Sequence, residues 1–476
     1  MRPTPEFPIS LRIWLPLLAV LTLLWGPRSM DLDRQLAASQ SALQQADPLS
    51  EARHLQVVVG WEPWREALWQ QIGIAALRGG DNAHAIRALE KANQLQKIGN
   101  EGRLALGEAD WSQNEFVKAL DAWNPMIETG TAPKMIYQRA IQFKRDTGRL
   151  EQAFRYAEAW ITADPQDSLA AYTWDILVLA SNGTVNAAML NRAVELDPSL
   201  SSKVKPLVEA LARVNPASPD EFRLLESGQA LGSIGEWDLA LAAFSNAKEI
   251  NPGYAEAWAY SGAARQQLHQ DGWSDLQKAL ELKPDSAAIQ AMSGIYFRRI
   301  SEFDQAIQHL SKAAELEPTH PIWRMEMGNL YADQHDTQAG LIQYQKAAEL
   351  EPNNPMIWQQ IAEYCLVHDL ELRQVGLPAA RQAVVLMPDS AHYLDTFGRV
   401  MLQLGDFASA ERFLQQAIGR DPDFSAATLH LGQLYLSQGQ TAQAEHYLAK
   451  AALPQGQDSE ANLIAGRLLD RYFRRQ

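Results

Sequence analysis

The sequence has one cysteine, Cys365, in 476 residues. A single cysteine cannot form a disulfide framework or a cysteine-based zinc site within one chain. A lone thiol is compatible with either side of a membrane, so the cysteine does not indicate a compartment. The chain also lacks an excess of positive charge, because 42 Lys and Arg residues stand against 57 Asp and Glu residues, for a net charge of −15. This balance argues against a general nucleic-acid binder, which needs a basic face to neutralise phosphates.

Motifs that carry chemistry are missing as well. The sequence contains no G-x-S-x-G elbow, no H-E-x-x-H pair and no phosphate-binding loop, and no strand-rich stretch would position one. Cys365-x-x-His368 could supply two metal ligands, but there is no second pair, and a structural role is the favoured interpretation. The sequence therefore predicts a protein that is not an enzyme and needs no cofactor or metal.

Long apolar runs are scarce, and the chain has one, near its amino terminus. Residues 13–25 are apolar apart from Thr22, and Arg12 precedes them. The run is short against the ~20 residues that span a bilayer, but Arg12 can extend its charged end to the interface, which makes 7–25 sufficient. We therefore predict a single-pass membrane anchor at residues 1–29. Basic residues before the run favour extracytoplasmic repeats.

Two other interpretations of this segment compete with an anchor. A cleaved signal peptide would need a small-x-small site after the apolar run, whereas Gly26-Pro27-Arg28 follows it. A buried core helix is disfavoured by the flanking arginines.

Between Ala287 and Gly456 the chain repeats itself with a period of 34 residues. Two clear copies are AAIQAMSGIYFRRISEFDQAIQHLSKAAELEPTH, at 287–320, and PIWRMEMGNLYADQHDTQAGLIQYQKAAELEPNN, at 321–354. A fixed period of this length predicts stacked supersecondary units that bury their faces against their neighbours.

Within each repeat, small residues recur at fixed positions. Position 8 is small, position 20 is mostly alanine and position 32 is often proline. The spacing predicts two short helices whose backbones approach closely at positions 8 and 20, and a proline that ends the second helix. Position 8 holds Gly228, Gly262, Gly294, Gly328, Ala362, Gly398 and Gly432, position 20 includes Ala85, Ala119, Ala153, Ala240, Ala306, Ala410 and Ala444, and position 32 includes Pro165, Pro252, Pro318, Pro352 and Pro422.

This pattern resembles the tetratricopeptide repeat in length, in residue order and in its helix–turn–helix form. The resemblance implies an all-α, right-handed α-solenoid of about eleven units and a C-terminal capping helix. Its combination with an N-terminal anchor indicates a bacterial protein. The unit at 255–286 is two residues short, and the unit at 355–390 is two residues long, with an extra turn near 369–376.

The period divides the chain into segments. We predict an anchor at 1–29, a helical linker at 30–65, a first sub-array at 66–200, a joint at 201–220, a second sub-array at 221–458 and a capping helix at 459–476. In the linker region Trp61, Trp64 and Trp69 form a cluster, which could be a binding patch but is favoured as the seal of the first repeat. The capping helix is expected to bury Leu463, Ile464, Leu468, Leu469 and Phe473.

In this family the first helix of each unit lines a concave groove that binds peptides or partner helices. The resemblance implies a mixed polar groove for proteins, with no nucleic acid and no small-molecule substrate. Relatives that bind chaperone tails use a clamp of lysine, asparagine and arginine, and Asn329 matches one asparagine, but Met325, His392 and Thr396 depart from the clamp. The implied groove residues are Arg298, Arg299, Met325, Asn329, Asp333, Gln359, Glu363, His392, Asp395, Arg399 and Gln433.

Two functions follow as hypotheses. The first is a membrane-anchored scaffold that binds proteins in the groove. The second is an accessory subunit of a glycan-assembly or secretion enzyme complex of the cell envelope. A catalytic domain is not expected, because only 18 residues follow the last repeat and about 65 precede the first.

Overall fold

The computed structural model describes residues 30–96, 98–184, 187–212, 215, 217–453 and 459–473. Every regular element in these ranges is a helix, so the predicted all-α solenoid is confirmed. The predicted anchor at 1–29 lies outside the described residues. The chain forms two compact units, Met1–Ala243 and Phe244–Gln476, which are called unit 1 and unit 2.

Unit 1 is a series of helices that pack in sequential pairs. A short 3₁₀ turn, Pro198–Leu200, precedes the eleventh helix, and the last helix continues into unit 2. The helices are α1 (30–44), α2 (Pro48–Trp61), α3 (Glu66–Arg78), α4 (Asn82–Leu95), α5 (Asn100–Ser112), α6 (Phe116–Glu128), α7 (Lys134–Asp146), α8 (Leu150–Ala163), α9 (Ser168–Asn182), α10 (Ala187–Leu196), α11 (Ser201–Leu211), α12 (Asp220–Ser233) and α13 (Trp237–Ile250).

Unit 2 repeats one helical hairpin after another and ends with a single helix. Its helices are α14 (Ala255–Gln267), α15 (Trp273–Leu282), α16 (Ala287–Arg299), α17 (Phe303–Leu316), α18 (Pro321–Asp333), α19 (Thr337–Leu350), α20 (Pro355–His368), α21 (Leu377–Leu386), α22 (Ala391–Gln403), α23 (Phe407–Arg420), α24 (Ser425–Ser437), α25 (Thr441–Ala451) and α26 (Ser459–Tyr472). Each second helix that precedes a proline ends two residues before it, as α17 ends before Pro318.

The small residue at position 8 has the predicted packing role. An added Cβ at Gly294 would lie 2.7 Å from Cγ of Leu310, and one at Gly398 would lie 2.8 Å from Cγ of Leu414. Both leucines occupy position 24 of the same repeat. Glycine at position 8 therefore lets the large side chain of the second helix pack directly on the backbone of the first.

The two repeats of irregular length depart from the period in different ways. In the short repeat, Gly262 and Gly272 bring the two helix backbones into direct contact, and an added Cβ at Gly262 would lie 2.8 Å from the carbonyl oxygen of Gly272. In the long repeat, Leu372–Gly376 forms a π-helical turn after Asp369 and Glu371, whose φ angles are positive. The predicted extra turn therefore lies where the sequence placed it.

Residues 30–61 form a helical hairpin of their own. Leu32 and Leu36 of α1 pack against a buried cluster that includes Leu55 and Ile72. The interpretation of the tryptophan cluster as a seal is wrong for two of its members, because Trp61 is 48% exposed and Trp64 is 65% exposed.

The last described helix, α26, packs on α24 and α25 mainly through Ala461, Ala465 and Leu469. Leu463 was expected on this face and is instead 62% exposed. Ile464, Leu468 and Phe473 also pack against this cluster, as expected, so Leu463 is the exception.

The segment after α10 holds an additional helix, α11, which packs between α10 and α12. Beside it, α9 packs on α12 and buries polar groups that have no hydrogen-bond partner among the described atoms. These are both carboxylate oxygens of Asp175, the hydroxyl of Tyr172 and the hydroxyl of Ser227. Burial raises the pKa of Asp175 to about 7.

One arginine forms ion pairs with two carboxylates in this part of unit 1. Arg145, at the end of α7, donates to both carboxylate oxygens of Asp238 at 2.8 and 2.7 Å and to Glu236 at 2.5 Å. Lys203 of α11 lies 3.9 Å from Glu236. We call these contacts of Arg145 with Glu236 and Asp238 the Arg145 clamp. The clamp joins α7 to the start of α13 across the irregular part of the chain that contains α9 to α12.

Candidate partner-binding face

Most first helices of successive repeats pack on each other in unit 2. Contacts join α14 to α16, α16 to α18, α20 to α22 and α22 to α24. The eleven predicted groove residues all lie on these first helices. We call their side of α16, α18, α20, α22 and α24 the first-helix face.

Arg298 connects two repeats at one end of this face. Its guanidinium donates to Glu326 at 2.9 Å and lies 3.5 Å from the carboxylate of Asp333. Arg299, the next residue, is exposed. The structure thus brings Arg298 and Asp333 together and leaves Arg299 facing solvent.

A denser network joins α20 to α22. Arg399 donates to both oxygens of Glu363, at 2.6 and 2.7 Å. Thr396 donates to Glu363 at 2.9 Å and accepts from the amide of Gln359 at 3.1 Å. Three predicted groove residues therefore form one network, in which Arg399 pairs directly with Glu363 and Thr396 connects Glu363 to Gln359.

The same kind of connection continues to α24. The Nδ1 atom of His430 lies 2.7 Å from Oδ1 of Asp395. Asp395 is only 4% exposed, so its carboxylate serves the contact between the helices. His392, by contrast, is exposed and lies edge-on to Phe424, with ring centroids 4.5 Å apart.

Two predicted residues face the interior of their own repeat. Met325 packs against the cluster that contains Leu341 and Tyr344. Asn329 accepts a hydrogen bond of 2.6 Å from the hydroxyl of Tyr344, whose pKa burial raises to about 12. Gln433 is half-buried on α24.

Glu326, Thr396 and His430 make these contacts between helices and were not among the predicted groove residues. All three occupy position 6 of their repeat, counted from Pro321, Ala391 and Ser425. The polar residue at position 6 bridges to the preceding first helix in these three repeats, whereas Gln360, at position 6 of the long repeat, makes no such hydrogen bond among the described residues. The network leaves four predicted residues accessible to a partner: Arg299, Asp333, His392 and Gln433.

A separate polar network lies in the short repeat of unit 2. Lys248 donates to Ser261 at 2.8 Å, and Ser261 donates to Asp275 at 2.7 Å, where Arg265 also donates. Ser261 has no exposed surface, and burial lowers the pKa of Lys248. The hydroxyl of Ser261 donates its hydrogen bond to Asp275 and is buried away from solvent. We therefore assign this network a role in packing.

Cys365 has a packing role as well. Its side chain is buried against Gly376, and burial raises the pKa of the thiol to about 11. In the ranges the structure describes, no three His, Cys, Asp or Glu side chains are grouped to hold a metal ion. In the same ranges, no helix combines the length and the apolar character needed to cross a membrane.

Two family models, both described as tetratricopeptide repeat, match residues 291–355 and 401–468. No curated protein has a sequence that matches this chain. Among solved structures, the chain is similar to yeast Tom70, with 14% identity and a TM-score of 0.43, over 93% of this chain and 96% of that one.

Two further structures are similar to the chain. One is the APC/C hetero-tetramer Cut9-Hcn1, with 15% identity and a TM-score of 0.37, over 94% of this chain and 93% of that one. The other is YrrB, described as a repeat protein with an unusual peptide-binding site, with 20% identity and a TM-score of 0.30, over 40% of this chain and 97% of that one. The family matches carry the assignment: residues 291–355 and 401–468 are tetratricopeptide repeats, and such repeats are generally protein-interaction scaffolds.

Proposed function

We propose that the chain is a non-enzymatic scaffold that binds segments of partner proteins on the first-helix face of unit 2. The observation that supports this proposal is the arrangement of the face. An internal network fixes Arg298, Glu363, Asp395 and Arg399, and more exposed polar side chains stand beside them. Preorganised groups lose little conformational entropy on binding, which favours recognition of a partner segment.

The contacts within the face decide which residues to replace in a test. Replacing Arg298 or Arg399 would also leave Glu326 or Glu363 without an ion-pair partner. We therefore select accessible residues: Arg299→Glu, His392→Ala and Gln433→Ala in one variant of the full chain. The control is Lys346→Glu, which makes one charge reversal on the exposed surface of the second helix α19.

The experiment is affinity capture from native membranes, followed by partner identification and a binding titration with each purified partner. Loss of binding in the triple variant, with retention in the Lys346→Glu control, is the expected result. Equal binding by the two variants would reject the first-helix face. The identity of the partner decides between a general scaffold and an accessory subunit of an envelope enzyme complex.

Residues 1–29 provide the second part of the proposal, attachment to a bacterial membrane with the repeats on the outer side. Its support is the apolar run at 13–25 and the arginines that precede it. Carbonate extraction and protease protection of the full chain test the attachment and its orientation. Release by carbonate, or protection on the cytoplasmic side, would contradict this part alone.

A further inference from the structure

Unit 1 contains a groove of about 810 Å³ that has no counterpart among the predicted groove residues. It lies between α1, α2, α3 and the chain that leads into α5, within residues 36–101. We call it the N-terminal groove. Its volume is in the range of binding clefts, roughly 300–1,000 Å³.

The base of the N-terminal groove is apolar. Leu55 and Ile98 are buried at its base, and Leu36 and Ile74 are half-buried beside them. Leu43 lies at the edge with 49% of its surface exposed. Apolar side chains of a partner would displace water from this surface, which favours binding.

Four amide side chains line the walls: Gln40, Gln70, Gln71 and Gln96. None of them hydrogen-bonds to another side chain in the described part of the molecule. An amide can both donate and accept, as a peptide group does. A helical partner satisfies its own backbone groups, whereas an extended segment leaves them free. The walls therefore fit an extended segment better than a helix.

The charges of the groove are predominantly negative. Glu66 of α3 and Glu101 of α5 both line the groove, and neither has an ion-pair partner among the described residues. Glu51 is paired with Arg78 at 3.0 Å. Among the described lining residues, three glutamates stand against one arginine. The balance favours a partner with a basic side chain.

We propose that the N-terminal groove binds an extended segment of a partner protein in which lysine or arginine lies between apolar residues. This surface is separate from the first-helix face of unit 2, and the two can be tested independently.

Gly99 offers a way to fill the groove without disturbing the fold. It lines the groove, has no atom within 4 Å of an added Cβ, and has an ordinary φ of −74°. Gly99→Trp should therefore fold and occlude the site. Gly60→Trp is the matched control, because Gly60 also has open space, lies in unit 1 and does not line the groove.

The probes are three fluorescent nine-residue peptides, each with the same three leucines and serines and with two variable positions. These positions hold lysine in one peptide, glutamine in the second and glutamate in the third. Fluorescence anisotropy with the full chain measures binding. We expect the lysine peptide to bind at least about tenfold more tightly than the glutamate peptide, with the difference reduced at high salt.

The variants decide the location and the chemistry of the site. Gly99→Trp should abolish binding of the lysine peptide, while Gly60→Trp should leave it unchanged. The double variant Glu66→Gln, Glu101→Gln should remove the preference for lysine over glutamine. The first-helix variant Arg299→Glu, His392→Ala, Gln433→Ala should bind the lysine peptide as the unmodified chain does.

The remaining outcomes overturn the proposal. Absence of binding, equal affinity for the three peptides, or full binding by Gly99→Trp would each reject it. Binding of a helix-forming lysine peptide in place of the extended one would reject the extended segment. Loss of binding in the first-helix variant would place the site in unit 2 and leave the proposed function standing.

Discussion

Polar side chains join adjacent repeats in both units, and unit 1 adds one pairing over a much longer distance in the sequence. In unit 1, Arg145 pairs with Asp238, 93 residues further along the chain. In unit 2, Arg399 pairs with Glu363, 36 residues away, which is the adjacent repeat. Arg145 is also more buried, since 12% of its side chain is exposed against 28% for Arg399.

The difference follows from the regularity of the repeats. Regular repeats bury their faces against immediate neighbours, so contacts between adjacent units are sufficient. The part of unit 1 that contains α9 to α12 has lost this regularity, and a contact between distant residues holds it closed. We expect unit 1 to depend on a few buried groups and unit 2 to distribute its stability over many contacts.

The largest expected effect comes from removal of the Arg145 clamp. Arg145→Leu leaves Glu236 and Asp238 without their main partner in a mostly buried site, which should cost about 3–5 kcal/mol. Native-state hydrogen exchange should show the loss of protection in α7, α9 and α12. Arg420→Leu is the control, because its pair with Asp389 is exposed and should contribute at most about 1 kcal/mol. Similar losses in the two variants would contradict the comparison.

Asp175 should make unit 1 sensitive to pH. Its pKa in the folded chain is about 7, above the ~3.9 of an unfolded aspartate. The folded state therefore holds a proton that the unfolded state releases, and stability falls as pH rises between these values, by on the order of 1.4 kcal/mol per pH unit.

Asp175→Asn removes this dependence, because asparagine does not titrate. Hydrogen exchange in α9 and α12 between pH 4.5 and 7.5 measures it after correction for intrinsic exchange rates. The unmodified chain should lose protection across the window, and the variant should lose markedly less, because Asp110 of the same unit, whose pKa burial raises to about 6, still titrates. A pH response of the same slope in both proteins would show that Asp175 is not its source.

Gly398→Ala should destabilise its repeat, although replacing a glycine within a helix by alanine usually stabilises a protein. The new Cβ would lie 2.8 Å from Cγ of Leu414, so overpacking should cost about 1–3 kcal/mol in the repeat at 391–424. Gly419→Ala in α23 meets open space and should stabilise the same repeat by about 0.5 kcal/mol. Chemical denaturation with a local fluorescent probe measures both. Stabilisation by Gly398→Ala would refute the close approach of these helices.

The smallest effect is expected in the first-helix network. A double-mutant cycle of Glu363→Gln and Arg399→Gln should give a coupling energy of about 0.5–1 kcal/mol, because both side chains are partly exposed. The coupling should fall as salt rises, whereas the Arg145 clamp should respond less. A coupling energy larger than the one between Arg145 and Asp238 would contradict the expected difference between the two units.

Much of the fold was predictable because its signals are local. The spacing between Gly294 and Leu310 recurs in other repeats. The period therefore predicts both helices of a repeat and the contact between them. The π-helical turn at 372–376 was predictable for the same reason, since two additional residues break a known period.

The candidate site was less predictable. The sequence placed Glu363 and Arg399 on the right helices, but their mutual contact depends on how two helices stack. The pairing of Arg145 with Asp238 has no periodic signal at all. The predicted burial of Leu463, Trp61 and Trp64 was wrong, because an apolar residue at a helix surface is buried only if a neighbouring element covers it. The domain boundaries and the groove assignment stay predictions.

The contact between Gly262 and Gly272 has a consequence for how this chain can change over evolution. Most large residues in the repeats face other side chains, so a change in one can be accommodated by a change in another. At Gly272 the opposing surface is the main chain of Gly262, whose atoms no side-chain substitution changes. In a set of related sequences we therefore expect Gly262 and Gly272 to change only together, and only where the loop between the two helices of the short repeat also changes in length.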